Sequence, residues 1–278
     1  MHRVAALTIT LLFASLLSSS AQAPPSPDDD HLWTDFVTWL ATAPRTTQVA
    51  SYLDLYARHL VETGTAPPMV PTTMARVLAL MRDRPEAWRL LFDRLYTTPG
   101  ATFRTEPTAL VVSAIEGRQP GRALDVGMGQ GRNAVFLALK GWDVTGIDLS
   151  EEGLAAARGQ ATRGGVSLHA LREDASTFDY GDAQWDLIVI TYGPALVGDA
   201  PFATRVKRSL KPGGLLVIET FASDRTAALR KPVDLDPAEL LHLYGDDLRI
   251  VRFEDFDGTS EWDPQVTRLV RMVGQKRQ

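Results

Sequence analysis

Hydrophobic residues recur along this chain at two different spacings, and the change from one to the other divides it into two parts. Between Leu32 and Tyr96 the apolar positions follow one another three or four residues apart, which is typical of amphipathic helices. Residues 31–100 are therefore expected to form a helical N-terminal segment. Prolines interrupt the pattern, so we predict three or four helices with breaks at Pro44, Pro67-Pro68 and Pro85.

After Pro120, short β-rich runs alternate with helical stretches, which predicts a parallel sheet with crossover helices. We expect helices between the first five strands and another at Pro237–Tyr244. Only the turn-like residues Asp257–Ser260 separate the last two strands, so the final strand should be antiparallel. The seven predicted strands are Ala123–Val126, Val144–Asp148, Leu168–Arg172, Leu187–Thr191, Leu215–Phe221, Leu248–Phe256 and Val266–Val273. The expected fold class is α/β, a doubly wound Rossmann-like sheet of seven strands over residues 101–278.

The first residues have the build of an export signal. A short basic start precedes an apolar run from Val4 to Leu17, and small residues follow at Ala21 and Ala23. Because the run is shorter than the roughly 20 residues that span a bilayer, we expect residues 1–23 to be a cleaved signal peptide. An uncleaved membrane anchor and a misassigned start codon, which would leave the protein in the cytoplasm, stay open as alternatives. Residues 24–30 are expected to be a linker.

Composition narrows the possible partners and chemistry. The formal charge of −5 and the pI near 5.6 disfavour a phosphate-binding surface, so nucleic acid is not an expected substrate. The chain has no cysteine, which excludes disulfides and thiolate chemistry, and its histidines do not cluster at metal-ligand spacing. We therefore expect no metal site.

The chemistry-bearing pattern is a glycine-rich turn that follows the first predicted strand. The strand ends at Val126, glycine stands at Gly127, Gly129 and Gly131, and a helix is predicted to open at Arg132. Such a turn needs backbone angles that a Cβ disfavours, and it lets the backbone approach a ligand closely. The N–H groups at the helix start then favour an anionic group of that ligand.

Three details favour S-adenosylmethionine over a dinucleotide as that ligand. Arg132 stands where the dinucleotide fingerprint requires glycine or alanine. Asp125, two residues before the first glycine, would repel a pyrophosphate but would attract an ammonium group. Asp148 ends the second predicted strand, where a carboxylate accepts hydrogen bonds from ribose hydroxyls.

With these motifs the chain resembles the class I S-adenosylmethionine-dependent methyltransferases from about Glu106 onward. The segments that carry the resemblance are Asp125–Gly131, Gly146–Ser150, Glu173–Ala175 and Leu210–Leu216, and the run Gly131-Arg132-Asn133 is similar to a tellurite-resistance-like branch that acts on small molecules. The resemblance implies that Asp125 and the backbone of Gly127, Gly129 and Gly131 hold the methionine part of the cofactor. It also implies that Asp148 binds the ribose, and that Asp174 with the N–H of Ala175 binds the adenine.

Plainer interpretations of these residues stay open. Asp148 could cap the helix near Ser150, Asp174 could be a surface turn residue, and Asn133 could serve only the helix start. Tyr192, after the fourth predicted strand, could stack on the cofactor, line the acceptor site or simply pack. Further walls of the acceptor site are expected at Gly193 and Pro194, at Thr220 and Phe221, and at Phe103–Glu106.

The expected activity is methyl transfer to a small-molecule acceptor by in-line displacement, which depends on alignment and the exclusion of water. The sequence identifies no catalytic base, since its histidines are scattered. One alternative is a non-catalytic exported binding protein on the same fold, because the periplasm has no evident supply of methyl donor. A second alternative is an NAD(P)-dependent oxidoreductase, against which Arg132 and Asp125 both count.

Overall fold

The computed structural model describes residues 27–47, 49–101, 103–193, 195–223, 235–260 and 266–278. The expected signal peptide, residues 1–23, lies outside these ranges, as does the first part of the expected linker. Within the described ranges, no helix is both long enough and apolar enough to cross a bilayer.

Four helices form the N-terminal segment, as the sequence predicts: α1 (Pro27–Thr42), α2 (Val49–Glu62), α3 (Val70–Asp83) and α4 (Glu86–Tyr96). Helix α1 begins before residue 31, so Asp28, Asp29 and Asp30 occupy its first turn instead of the linker. Carboxylates are favourable there because the N-terminal end of a helix dipole is positive. Asp30 therefore lies inside helix α1.

The inward faces of these helices form a hydrophobic cluster of their own. Every fully buried member of the cluster precedes residue 97, and Phe36, Tyr56, Leu91 and Leu95 lie at its centre. Because the helices bury their apolar stripes mainly against one another, the segment has a core separate from that of the sheet.

All seven predicted strands are present in one sheet with the order β3-β2-β1-β4-β5-β7-β6. Strand β7 pairs antiparallel with both β5 and β6, while the other pairings are parallel. The fold class expected from the sequence is confirmed. The strands are β1 (Arg122–Val126), β2 (Asp143–Asp148), β3 (His169–Arg172), β4 (Trp185–Thr191), β5 (Leu210–Phe221), β6 (Leu248–Thr259) and β7 (Val266–Lys276).

Helices cover both faces of this sheet, as the alternation of side chains along β1 shows. Leu124 and Val126 point to the face covered by α8 (Ala200–Ser209) and α9 (Pro237–Tyr244). Ala123 points to the opposite face, covered by α5 (Ala109–Ala114), α6 (Arg132–Leu139) and α7 (Glu151–Arg163). Asp125 shares the face of Ala123. The order of the sheet reverses between β1 and β4, which places the switch point beside β1.

The connection between β3 and β4 differs from the expectation, because residues 173–184 form turns and contain no helix. The backbone N–H of Ser176 donates to the side chain of Asp174, and the N–H of Gly181 donates to that of Asp179. Such short polar side chains stabilise turns in competition with a helix. The helix predicted in this connection is therefore wrong.

Three strands extend at least three residues beyond their predicted bounds. Strand β5 begins at Leu210, β6 continues to Thr259 and β7 continues to Lys276. Asp257 and Gly258, expected in the turn, pair with β7 instead. Strand β6 is the outer edge of the sheet and has a register shift between Ile250 and Arg252.

The N-terminal segment meets the sheet domain where α4 packs against α7. A Cβ at Gly153 in α7 would lie 2.9 Å from Cε2 of Tyr96 and 3.2 Å from the carbonyl carbon of Gly129. The absence of a side chain at Gly153 therefore lets helix α4 and the glycine turn approach α7 closely.

Two substitutions in the same helix should consequently have opposite effects. Gly159→Ala, where a Cβ meets nothing closer than 3.5 Å, should raise the free energy of unfolding by about 0.5–1 kcal/mol, because alanine is the better helix former. Gly153→Ala should lower it by about 1–3 kcal/mol through overpacking. Urea unfolding of both variants measures the difference, and equal stabilisation would contradict the close packing.

Candidate active site

The glycine turn connects β1 to α6 beneath the C-terminal end of the sheet. The backbone N–H groups of Gly127 and Met128 both donate to the carbonyl of Ile147, at 2.9 and 3.0 Å, which ties the turn to β2. The φ angles of Gly127, Gly129 and Gly131 are 70°, 53° and 83°, a region that favours glycine. The turn therefore has the conformation that its sequence predicts.

Asp125 lies in the central strand β1, and its side chain is buried beside the turn. One oxygen, Oδ2, has no hydrogen-bond partner among the described residues, and the residue is 1% exposed. Burial raises the pKa of Asp125 to about 7, although the positive charge of Arg132 and the N–H of Ala134 both act to lower it. An unsatisfied buried carboxylate oxygen is costly, and a cationic ligand would remove that cost.

Asp148 ends β2 and holds the glycine turn in place. Its Oδ2 accepts from the N–H of Gly129 at 2.8 Å, and its Oδ1 accepts from the N–H of Ser150 at 2.8 Å. The cap of α7 is Ser150, whose hydroxyl accepts from the N–H of Gly153, so Asp148 is not the capping residue. Burial raises the pKa of Asp148, and the nearby Asp93 adds to that effect.

Asn133 is buried in the first turn of α6, where its amide joins two other segments. Its Oδ1 accepts from the backbone N–H of Thr108 at 2.8 Å, and its Nδ2 donates to the hydroxyl of Thr191 at 2.9 Å. Asn133 therefore connects the chain before α5 to the end of β4. Asn133 thus helps to position these two segments, in addition to lying at the start of α6.

Tyr192 directly follows β4 and belongs to a buried polar network at the ends of β4 and β5. Its hydroxyl donates to Oε1 of Glu219 at 2.6 Å, and Nε of Arg271 donates to Oε2 of the same carboxylate at 2.6 Å. Burial raises the pKa of Tyr192 far above its usual range, so the phenol stays protonated. Its φ of 50° is uncommon for a bulky residue, and such backbone strain often occurs at functional sites.

The guanidinium of Arg271, in β7, forms an ion pair with the carboxylate of Glu219 in the neighbouring strand β5. Glu219 itself is fully buried. The ring of Tyr192 also contacts that of Phe221, with centroids 5.2 Å apart. The ends of β4 and β5 thus carry the aromatic pair Tyr192 and Phe221, and the hydroxyl of Tyr192 bonds to the ion pair of Glu219 and Arg271.

Asp174 and Ala175 lie in the turn after β3 and are not part of the cavity wall beside the glycine turn. Asp174 accepts from the N–H of Ser176, and the carbonyl of Ala175 accepts from the hydroxyl of Tyr180 at 3.0 Å. In this arrangement both residues make hydrogen bonds that stabilise the turn. Their role toward adenine stays a prediction.

A cavity of about 40 Å³ lies between the glycine turn and the N-terminal segment. Ligand pockets are usually about 300–1,000 Å³, so this cavity is nearly closed. Tyr96 of α4 and Phe103 cover it, with ring centroids 4.9 Å apart. A Cβ at Gly129 would lie 2.5 Å from the Tyr96 hydroxyl, which shows how closely this side chain rests on the turn. The cavity is lined by Tyr96, Phe103, Arg104, Asp125, Gly127, Met128, Gly129, Gln130, Arg132, Asn133, Gln160 and Thr191.

A larger cavity of about 340 Å³ lies at the surface between α9 and the strands β6 and β7. Its charged groups are already paired, since Arg268 donates to both carboxylate oxygens of Asp255 at 2.7 and 2.6 Å. It also lies away from the glycine turn. The smaller cavity, with the unsatisfied oxygen of Asp125 on its wall, is therefore the candidate site.

Sequence reasoning missed three residues of the site. Arg132 was considered only as a replacement for a fingerprint glycine, and Tyr96 only as part of a helical pattern. Glu219 was overlooked, although it is a single carboxylate within the apolar run of β5. An acid in a strand that is otherwise buried on both faces indicates a partnered or functional group, and this pattern would have identified Glu219.

Comparison with known proteins gives a match to the part of the chain that contains the glycine turn. Residues 123–214, which span β1 to the start of β5, match the family model described as a methyltransferase domain. Residues 123–214 are thus similar to a methyltransferase domain. This match confirms the resemblance to S-adenosylmethionine-dependent methyltransferases that the motifs carry.

Named relatives of this methyltransferase differ in their acceptors. The chain is 30% identical over 122 residues to the malonyl-[acyl-carrier protein] O-methyltransferase of Enterobacter lignolyticus (strain SCF1), covering 44% of this chain and 47% of that one. It is also 30% identical over 128 residues to the ribosomal RNA small subunit methyltransferase C of Alcanivorax borkumensis, covering 40% and 36%. The chain thus spans less than half the length of these relatives.

The fold of the methyltransferase is similar to that of TehB from Haemophilus influenzae. The TM-score is 0.54 with 22% sequence identity, and the match covers 68% of this chain and 67% of that one. At this identity the likeness concerns the fold alone.

Burial of Asp125 predicts a pH dependence of stability. Because its pKa is about 7 when folded and near 3.8 when unfolded, the stability that it contributes is present below about pH 4 and is lost as the pH rises through 7. Asp125→Asn should therefore gain stability relative to the wild type between pH 5 and pH 8, by about 2–4 kcal/mol. Denaturant unfolding across this range checks it, with Asp246→Asn at an exposed turn as the control. A difference independent of pH would contradict the raised pKa.

Proposed function

We propose that this protein transfers a methyl group from S-adenosylmethionine to a small-molecule acceptor by in-line displacement. The observation that carries the proposal is the unsatisfied Oδ2 of Asp125 on the wall of the cavity beside the glycine turn. A carboxylate at this place would oppose a pyrophosphate, whereas it suits the ammonium group of an amino-acid-like cofactor.

The residues around the cavity fit such a cofactor. Asp125 would accept hydrogen bonds from the ammonium group, and the backbone of the glycine turn would pack against the methionine part. Asp148 keeps unused acceptor capacity, because each carboxylate oxygen can accept two hydrogen bonds, so it could also bind ribose hydroxyls. When bound, the cofactor supplies an electrophilic methyl group on a sulfonium that leaves as a neutral thioether.

For this chemistry the protein has to align the acceptor and exclude water. The N-terminal segment contributes to the second task, since Tyr96 of α4 lines the cavity and lies beside Gly129. Phe103, which follows the segment, lines the same cavity. The aromatic pair Tyr192 and Phe221, at the ends of β4 and β5, is the proposed wall toward the acceptor.

A small acceptor is favoured over a polymer for two reasons. The formal charge of −5 disfavours the phosphates of nucleic acid, and the helical segment covers the cavity that a large substrate would have to reach. The relatives named above act on different acceptors. The proposal of a small acceptor therefore depends on the net charge of this chain and on the helical segment beside the cavity.

The cofactor part of the proposal is tested by titration with S-adenosylhomocysteine in a calorimeter. The wild type should bind with a dissociation constant in the micromolar range, and Asp148→Asn should weaken binding by roughly 10-fold or more, since a charged acceptor of hydroxyl hydrogen bonds becomes neutral. Asp143→Asn, at the exposed start of the same strand, is the matched control and should bind like the wild type.

NADH is a second ligand for this experiment. Binding of NADH instead of S-adenosylhomocysteine would favour a dinucleotide enzyme. A folded wild type that binds neither ligand would leave the non-catalytic protein as the better explanation. After positive binding, transfer of a labelled methyl group to a panel of small acceptors tests the reaction itself.

The position of Tyr96 predicts how the cofactor enters. Because its side chain rests on Gly129 and beside Asp148, it must move before a ligand can reach that carboxylate. Tyr96→Ala should increase the association rate of S-adenosylhomocysteine several-fold in stopped-flow measurements. Glu86→Ala, at the exposed start of α4 and outside the cavity wall, is the control. An unchanged or slower association in Tyr96→Ala would contradict the covering role.

A further inference from the structure

Asp93 is an acid of helix α4 that contacts the sheet domain close to Asp148. Its Oδ1 accepts a hydrogen bond from the hydroxyl of Ser150 at 2.6 Å, and its Oδ2 pairs with Arg89 of the same helix at 3.2 Å. Ser150 is fully buried and caps α7, since its hydroxyl oxygen accepts from the N–H of Gly153. A side chain of the N-terminal segment therefore reaches the start of the helix that follows β2.

The same serine also holds Asp148. The backbone N–H of Ser150 donates to Oδ1 of Asp148 at 2.8 Å, and Oδ2 of that carboxylate accepts from the N–H of Gly129 at 2.8 Å. Ser150 thus bonds to Asp93 through its side chain and to Asp148 through its backbone. The orientation of the Asp148 carboxylate consequently depends on helix α4 as well as on the glycine turn.

Helix stability alone does not explain an acid at this place. Asp93 lies in the last turn of α4, where the helix dipole is negative and a carboxylate is destabilising. Its charge also repels that of Asp148, and this repulsion adds to the effect of burial in raising the pKa of Asp148. The ion pair with Arg89 is partly exposed and therefore weak. The charge-assisted hydrogen bond from Ser150 is the interaction that offsets these costs.

We infer that Asp93 is a positioning residue of the cofactor site, which acts through Ser150 to hold the Asp148 carboxylate in the orientation that binds the ribose. In the proposed function, on which this inference rests, Asp148 accepts hydrogen bonds from the ribose hydroxyls. Tyr96 lies three residues after Asp93, on the same face of α4, and rests on Gly129. One helix face thus supplies both the bond to Ser150 and the aromatic cover, so docking of the N-terminal segment is coupled to binding of the cofactor.

Calorimetric titration with S-adenosylhomocysteine measures this coupling. Asp93→Ala removes the acceptor of the Ser150 hydroxyl and should weaken binding roughly 3- to 10-fold, as expected for the loss of one hydrogen bond. Asp93→Asn keeps an oxygen that accepts this bond, so at neutral pH its affinity should stay within about 3-fold of the wild type. Asp54→Ala removes an exposed acid of α2 in the same segment and is the matched control, with an unchanged affinity.

A double-mutant cycle separates positioning from a general structural effect. Asp148→Ala removes the group that Asp93 positions. Adding Asp93→Ala to that variant should therefore weaken binding by less than about 2-fold further, because the two residues act on the ribose as one unit. The weak binding of Asp148→Ala is measured at high ligand concentration.

The pH profile of binding gives a second readout. Ionised Asp148 is the better acceptor for hydroxyl groups, so affinity should fall as the pH is lowered through its pKa. Nearby charged or titratable groups come from α4 (Asp93 and Tyr96), β1 (Asp125) and the start of α6 (Arg132). Because the charge of Asp93 raises the pKa of Asp148, Asp93→Asn should move this fall to lower pH. The other groups are common to both proteins, so the difference between the two profiles reports on Asp148.

Several outcomes would overturn the inference. Wild-type affinity in Asp93→Ala would remove Asp93 from the site, and an undiminished loss in the Asp148→Ala background would make it a structural residue of α4. Identical pH profiles for the wild type and Asp93→Asn would show that the two carboxylates are not coupled. If circular dichroism shows that Asp93→Ala is unfolded, the profile of Asp93→Asn decides alone. A folded wild type that does not bind S-adenosylhomocysteine would refute the proposed function itself, which is distinct from a failure of Asp93.

Discussion

The electrostatic environment of Asp125 is the constraint around which the rest of this structure is arranged. The side chain lies in the central strand of the sheet, where its neighbours along β1 are aliphatic. A carboxylate in such a place is unfavourable unless opposite charge or hydrogen-bond donors surround it. The start of α6 supplies both, through the N–H of Ala134 and the guanidinium of Arg132. Neither satisfies Oδ2, so the folded protein keeps an attraction for a cation at the switch point of its sheet.

The sheet could be predicted well from the sequence because its strands are short apolar runs between polar turns. All seven strands were located, and the errors lie where local patterns are weak. Strand β5 begins at Leu210, five residues before the predicted Leu215. The later start was predicted because Lys211, Pro212 and Gly213 are typical of a turn. A helix was predicted between β3 and β4 because a crossover in this fold class usually contains one, whereas the Asp residues of this connection favour turns.

The candidate site could be predicted only as far as it is local in sequence. Asp125, the glycine turn and Asp148 lie at the ends of the neighbouring strands β1 and β2, so their order along the chain predicts that they face a common ligand. Tyr96 is 33 residues before Gly129 along the chain, and no periodicity shows that α4 packs on the turn. Glu219 and Arg271 meet only because β7 inserts antiparallel beside β5, which places the two residues opposite each other in the register. Such contacts depend on the tertiary fold.

The separate core of the N-terminal segment has a consequence for how this protein can change. Leu95 is buried among the helices and precedes Tyr96, so a substitution that repacks the helices shifts the aromatic cover without altering any group that binds the cofactor. Selection can therefore alter the cover of the cavity through residues remote from the sheet. Recombination offers a larger step of the same kind, since an exchanged helical segment would meet an unchanged glycine turn.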